Sequence, residues 1–286
     1  MEQPMADGVG LAFERLVAIM ARLRAEGGCP WDREQDLRSL RPYLIEEVYE
    51  VLDEMDCVSY GGSWGPLGEE LGDLLFQIVF HAQLAEEQHQ FAIADVCRSI
   101  SDKIERRHPH VFGQLKVRSS AEVLANWTKL KAEEKKRKTG SEGSVLDGVP
   151  STAPALLRAE RLTEKASQVG FDWPDVQGVR RKLDEELGEL DRAITSGERD
   201  AIEHELGDVL FTLANLARFV KAPPEDALRQ ANRRFMARFR KVETGLRAAG
   251  VPFGEASLAQ MEGLWEQAKS DETAVPLSRL VPDTES

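Results

Sequence analysis

Cysteine is scarce in this chain: Cys29, Cys57 and Cys97 are the three among 286 residues, and none falls in a C-x-x-C spacing. That scarcity excludes a disulfide framework and a cysteine-built zinc site, and it suits a reducing compartment. Long apolar runs are also lacking, with nothing near the roughly 18 uninterrupted apolar residues of a membrane span. The opening "LAFERLVAIMARLR" reads as an amphipathic helix, with Leu11, Leu16, Ile19, Met20 and Leu23 apolar, and not as a leader. A cytoplasmic protein with no membrane partner is therefore expected. Excess basic charge is missing too: 37 Lys and Arg stand against 50 Asp and Glu, a net charge of -13, which excludes a general nucleic-acid binder. Alternating β-type patterns are nearly absent, which leaves an all-α fold.

What is present is apolar spacing of three and four residues almost throughout. It predicts helices over 11–25, 38–58, 67–90, 93–107, 120–138, 154–168, 176–196, 199–220, 224–249 and 257–269. The breakers "GGCPWD", "GGSWGP", "RHPHVFG", "GFDWPD", "KAPPED" and "GVPFGE" fall between them. A polar stretch rich in Gly, Ser and Pro, "KKRKTGSEGSVLDGVPSTAP", marks a linker. The expected division is a domain at 1–138, a linker at 139–153, a domain at 154–270 and a frayed tail at 271–286.

The two sides of the linker repeat one design. "IEEVYEVLDEM" at 45–55 matches "DEELGELDRAI" at 184–194, and "EELGDLLF" at 69–76 matches "HELGDVLF" at 204–211. Two shorter matches follow in the same order, "SDKIERR" with "NRRFMAR" and "WTKLK" with "WEQAK".

Successive helical residues advance by about 100°. Glu47 and Glu50 therefore share a face beside Leu44, Val48, Val51, Leu52 and Met55, and Glu70 and Asp73 stand likewise beside Leu71, Leu74, Leu75 and Ile78. Glu186 and Glu189 repeat this beside Leu183, Leu187, Leu190 and Ile194, as do Glu205 and Asp208 beside Ile202, Leu206, Val209 and Leu213. A lone Glu-x-x-Glu is ordinarily a solvated helix face. A doubled set, always on the same side of a stripe expected to be buried, is not. Short-looped helices pack antiparallel about 8–10 Å apart, so each half can bring four carboxylates together. Such carboxylates repel each other and need a cation or shifted pKa values. Hard oxygen donors without His or Cys suit Mg²⁺, with Mn²⁺ as a substitute. A di-iron bundle would want Glu-x-x-His motifs on two helices, and only Glu86 and His89 have that spacing.

Glu-Glu-x-x-Glu followed some twenty residues later by Glu-x-x-Asp resembles the signature of the MazG-type nucleotide pyrophosphohydrolases. "GGCPWDREQ", "EELGDLLFQIVFHAQLA" and "RRHPHVFG", with the tandem arrangement, extend the likeness from about Leu11 to Lys269. The resemblance implies Mg²⁺-dependent hydrolysis of a nucleoside triphosphate to monophosphate and pyrophosphate with broad base preference. It also implies a homodimer whose helices complete four-helix-type packing around the sites. The family is associated with nucleotide-pool cleaning and with stringent-response and toxin–antitoxin links, none of them legible in these residues.

In the second half the expected catalytic and metal ligands are Glu186, Glu189, Glu205 and Asp208, with Glu186 or Glu189 as the base. Glu47, Glu50, Glu70 and Asp73 are their counterparts in the first. Arg234 and Arg238, spaced i,i+4 on "PEDALRQANRRFMARFRK", offer guanidinium forks to phosphate, Asn232 a hydrogen bond and Lys182 a cation one turn before Glu186. Lys103 and Arg107 repeat the basic spacing in the first half. Trp265 and its counterpart Trp127 are candidates for base stacking. Trp31 and Trp173 read as structural plugs at helix entries, and "RHPHVFG" as a closing loop. Ala201 departs from the family pattern, where a phosphate-binding lysine is expected. The second half is favoured as the engine. A nucleotide sensor without catalysis, a helical interaction module and a pyrophosphatase narrow for dUTP or dCTP stay open at this level.

Overall fold

The computed structural model describes residues 6–119 and 143–274, with Glu122, Val123, Asn126, Trp127, Leu130 and Glu134 between them. Most of the helix expected over 120–138 lies outside the described residues. Among those described there are eleven α-helices, one 3₁₀ turn and no strand. The chain divides into two compact units, one ending at Lys131 and the other covering Ala132–Ala274. No described helix is long and apolar enough to cross a membrane.

In the first unit, α1 (Ala6–Arg24), α2 (Pro30–Glu34), α3 (Arg41–Ser59), α4 (Trp64–Glu87), α5 (Ile93–Arg107) and α6 (Pro109–Phe112) follow in order. The central α4 packs against α1, α3 and α5. Its core joins Met20, Leu40, Val79, Phe80 and Leu84, with Phe13, Leu16, Val17, Phe76 and Ile93 packed around them. Burying side chains of this size is worth about 1.5–3 kcal/mol each. Arg24, only 8% exposed at its side chain, ties the unit together. Its guanidinium pairs with both oxygens of Glu87 at 2.7 Å, donates to the carbonyls of Asp32 and Gln35, and lies 5.4 Å from the Phe80 ring centre.

The second unit contains α7 (Ala155–Ser167), α8 (Val176–Ser196), α9 (Arg199–Phe219), α10 (Pro224–Ala248), the 3₁₀ turn Phe253–Glu255 and α11 (Leu258–Ala274). Here α9 is central, packing on α7, α8 and α10, while α11 lies on α10. Val179, Leu183, Val209, Ala214, Val242, Leu246 and Ala268 are buried.

Each acid-bearing pair is an αα-hairpin. In the second unit Asp175 caps α8 by accepting from the Gly178 amide at 2.8 Å, and Gly197, at φ 73°, ends it in the left-handed conformation. In the first unit the connection is longer. Gly61 takes φ 91°, and a Cβ on Gly62 would stand 2.8 Å from the Cys57 carbonyl oxygen, so the turn needs both glycines. Ser63 then caps α4 through the Gly65 amide at 3.2 Å.

Three expectations need correction. "CPWD" and "HPHVF", read as breaker and loop, form the short helices α2 and α6, because proline at the first helical position starts a helix as readily as it ends one. The last helix reaches Ala274 and does not stop at 269. The apolar stripes are only partly buried: Val51, Leu183 and Val209 are covered, but Val48, Met55, Leu71, Ile78, Leu187, Ile194, Leu206 and Leu213 are all more than a third exposed. A helical stripe broader than its one partner helix leaves a margin that the unit by itself does not cover.

Candidate metal centres

Glu70 and Glu205 each lie six residues in from the start of their helices, α4 and α9. The hairpins set them opposite Glu47 on α3 and Glu186 on α8. Oxygens of Glu47, Glu70 and Asp73 come within 4.8 Å of one another, and so do those of Glu186, Glu205 and Asp208. Glu186 is buried, at 5% exposure, whereas the other five are half-buried or exposed. Glu50 and Glu189 stand outside these two groups. Glu189 instead accepts from Arg192 at 3.2 Å.

The surroundings of the two groups differ. In the first, desolvation raises the Glu47 pKa, aided by the negative charges of Asp73 and Glu50, while a hydrogen bond from Gln77 opposes the rise. Desolvation also raises Glu70, with Glu50, Asp73, Glu54 and Glu69 adding to it. Gln77 is buried, and its Oε1 has no partner. In the second, Lys182 Nζ lies 2.8 Å from Glu186 Oε1 and 2.8 Å from Glu185 Oε1. Its hydrogen bonds to Glu185 and then Glu186 hold the ammonium well above the usual lysine range. His204 Nε2 is 3.4 Å from Asp208 Oδ2. The repeat alignment places Tyr43, Asp53 and Glu69 where the second unit has Lys182, Arg192 and His204. Tyr43 meets Trp31 edge-on, ring centres 5.7 Å apart.

Three carboxylate oxygens with neither sulfur nor imidazole among the cluster residues form a hard donor set. In the first unit the raised carboxylates stand among other acids, and no cation faces them among the described residues. Both features fit a divalent ion such as Mg²⁺.

The remaining candidates gather elsewhere on each unit. The Arg238 guanidinium stands 5.7 Å from the Trp265 ring centre, and Phe235 packs on the same indole at 5.3 Å. Arg234 is half-buried and Asn232 exposed on the same helix, α10. Lys103 and Arg107 are half-buried on α5, and Trp127 meets His108 edge-on at 5.0 Å. Trp173 packs against Gly178 in the first turn of α8, where a Cβ would come 3.2 Å from the ring. Sequence reasoning missed His204 beside Asp208. The i,i+4 spacing was there to be read.

The model of the MazG nucleotide pyrophosphohydrolase domain matches residues 35–112 and again 175–243, one match over each acid hairpin. The chain belongs to the MazG family. It is 44% identical over 265 residues to the nucleoside triphosphate pyrophosphohydrolase of Escherichia coli K12, covering 91% of this chain and 98% of that one. It is also 44% identical to the nucleoside triphosphate pyrophosphohydrolase/pyrophosphatase MazG of Thermotoga maritima, covering 92% and 98%. The uncharacterized protein YabN of Bacillus subtilis is 42% identical over 91% of this chain and 52% of its own length. This MazG-family chain therefore carries the family domain twice, and each copy contains one of the carboxylate clusters.

Proposed function

We propose that this chain is a nucleoside triphosphate pyrophosphohydrolase, releasing pyrophosphate and a nucleoside monophosphate, with the second unit as the catalytic one. The observation that carries this reading is the convergence of Glu186, Glu205 and Asp208 within 4.8 Å on a hairpin that the family model matches. These three, with their counterparts Glu47, Glu70 and Asp73, would hold Mg²⁺ or, in its place, Mn²⁺. When bound there, the ion would supply charge neutralisation for the phosphate chain and a lowered pKa for a bound water. Glu50 and Glu189, one turn further along α3 and α8 and outside the two clusters, would be the fourth carboxylates of the sites once metal and substrate are bound. Glu186 or Glu189 would take the proton of the attacking water. The water oxygen bonds to the α-phosphorus, the bridging bond to the β-phosphate breaks, and pyrophosphate leaves with that electron pair. Lys182, Asn232, Arg234 and Arg238 offer cations and a hydrogen bond to the triphosphate. Trp265 offers a face any base can stack on, which accounts for broad base preference. Lys103, Arg107 and Trp127 are the corresponding groups of the first unit.

The exposed apolar margins of α4 and α9 support a homodimer that covers them. We assign the domains to 1–138 and 154–270, joined by the linker 139–153 and followed by the tail 271–286. The free thiols support a cytoplasmic location, and nucleotide-pool cleaning is the corresponding role.

The test is pyrophosphate release from a panel of NTPs and dNTPs with Mg²⁺, on wild type, Glu205→Gln and Glu70→Gln. Glutamine keeps the shape of glutamate and removes the charge a metal needs. Glu205→Gln should lower release about a hundredfold or more, with Glu70→Gln within a few-fold of wild type. A wild type that binds nucleotide without releasing pyrophosphate would replace the enzyme with a sensor.

A further inference from the structure

The two clusters share their carboxylates but not their counter-ions. Lys182 lies on α8 one turn before Glu186, and its Nζ sits 2.8 Å from that carboxylate. Glu186 is the most buried acid of either cluster, so its charge is the least hydrated. The first unit has Tyr43 at the matching position, with its ring edge-on to Trp31. Around the first cluster the matching positions add acids, Asp53 and Glu69, where the second has Arg192 and His204.

We infer that Lys182 is a resident counter-cation of the second cluster, with which an entering divalent ion must compete, and that the first cluster, which has none among the described residues, takes up metal first. This rests on the metal-dependent reading above. An ion held by Glu186, Glu205 and Asp208 would share the Glu186 carboxylate with the ammonium 2.8 Å from its Oε1, and two cations on one buried carboxylate compete for its charge. Lys182 has somewhere to go, because Glu185 Oε1 lies at the same 2.8 Å from Nζ. The lysine can therefore give up Glu186 without losing an anionic partner, and its displacement costs a fraction of an ion pair. That cost is subtracted from metal affinity at the second cluster alone. A side chain 32% exposed can make this movement without unpacking the unit.

The experiment is Mn²⁺ binding to the full chain without nucleotide, read from the electron paramagnetic resonance signal of free Mn²⁺ and repeated with Mg²⁺ as competitor. Wild type should show two classes of site. Glu70→Gln should remove the tighter class and Glu205→Gln the weaker. Lys182→Met should tighten the weaker class roughly three- to tenfold and leave the tighter one in place, whereas Lys182→Arg should keep the weaker class near its wild-type affinity. Circular-dichroism melting of each variant checks that the units remain folded. A lysine that merely braces the carboxylates would give the opposite sign, with weaker Mn²⁺ binding in Lys182→Met. That result, or an unmoved isotherm, overturns the inference while leaving the metal site intact. If wild type and Lys182→Met both fail to bind Mn²⁺, the metal-dependent reading falls and takes the inference with it.

Discussion

Two hairpins of the same design hold the same three carboxylates in this chain, yet one stands among further acids and the other beside a lysine and a histidine. Around Glu47, Glu70 and Asp73 the neighbouring charges are those of Glu50, Glu54 and Glu69, and the carboxyl pKa values of Glu47 and Glu70 are raised. Around Glu186, Glu205 and Asp208 stand Lys182 and His204, with Arg192 on the adjoining Glu189. A duplicated motif therefore sets the carboxylates, and the residues one turn away set the charge around each copy. An acid-rich cluster is a place for a cation to stay. One already neutralised in part is a place where a cation and an anionic substrate can meet.

The sharpest way to break the comparison is to remove the matching acid from each side. Glu186→Gln should lower steady-state pyrophosphate release about a hundredfold or more, whereas Glu47→Gln should change it only a few-fold. Equal losses would mean that the two clusters work alike. Stability should separate the units next. Arg24→Ala leaves Glu87 with Gln83 as its remaining side-chain donor and takes the guanidinium from two carbonyls of the first unit, and should cost that unit about 2–4 kcal/mol. Hydrogen exchange resolved by peptide should register the loss in α1, α2 and α4 and leave α8 and α9 protected. In the second unit, Gly245→Ala would place a Cβ 2.6 Å from Leu264 Cδ2 at the α10–α11 contact, for about 1–3 kcal/mol of overpacking. Because Trp265 follows Leu264, the KM for triphosphate should rise together with the fall in melting temperature.

The smallest effect is electrostatic. Glu70 has a folded-state pKa raised above its unfolded value, so the fold holds that proton more tightly than the unfolded chain does. Its penalty is complete above the raised pKa and fades as pH falls through it. Metal-free Glu70→Gln should therefore melt on the order of 1 °C higher than wild type at pH 7, with the difference closing in mild acid. Glu87 has the opposite sign. Arg24 lowers its pKa, and its stabilisation is present at neutral pH and lost as pH falls through that lowered value.

Most of the helices and the six clustered acids could be read from the sequence, because a period of 3.6 residues is local and the repeat gives it twice. The counter-ions were half legible. Lys182 stood one turn before Glu186, but spacing alone did not distinguish a hand for phosphate from a partner for the carboxylate beside it. Arg24 was not legible at all, since Glu87 is 63 residues away and only the fold brings them together. The short helices α2 and α6 were hidden by prolines that read as stops. The uncovered margins of α4 and α9 were missed for a different reason: an apolar period reports an apolar face, not how much of it the unit covers.

The two hairpins also bear on how the sites come into being. The carboxylates of the first cluster span 27 residues, from Glu47 to Asp73, and those of the second 23, from Glu186 to Asp208. Loops this short close at little entropic cost, and contacts this local favour fast folding. Each cluster can assemble from its own two helices before the distant contacts of its unit are made. The acids would then meet while the rest of the unit is still loose, and a divalent ion present at that stage would bind the hairpin and speed its completion.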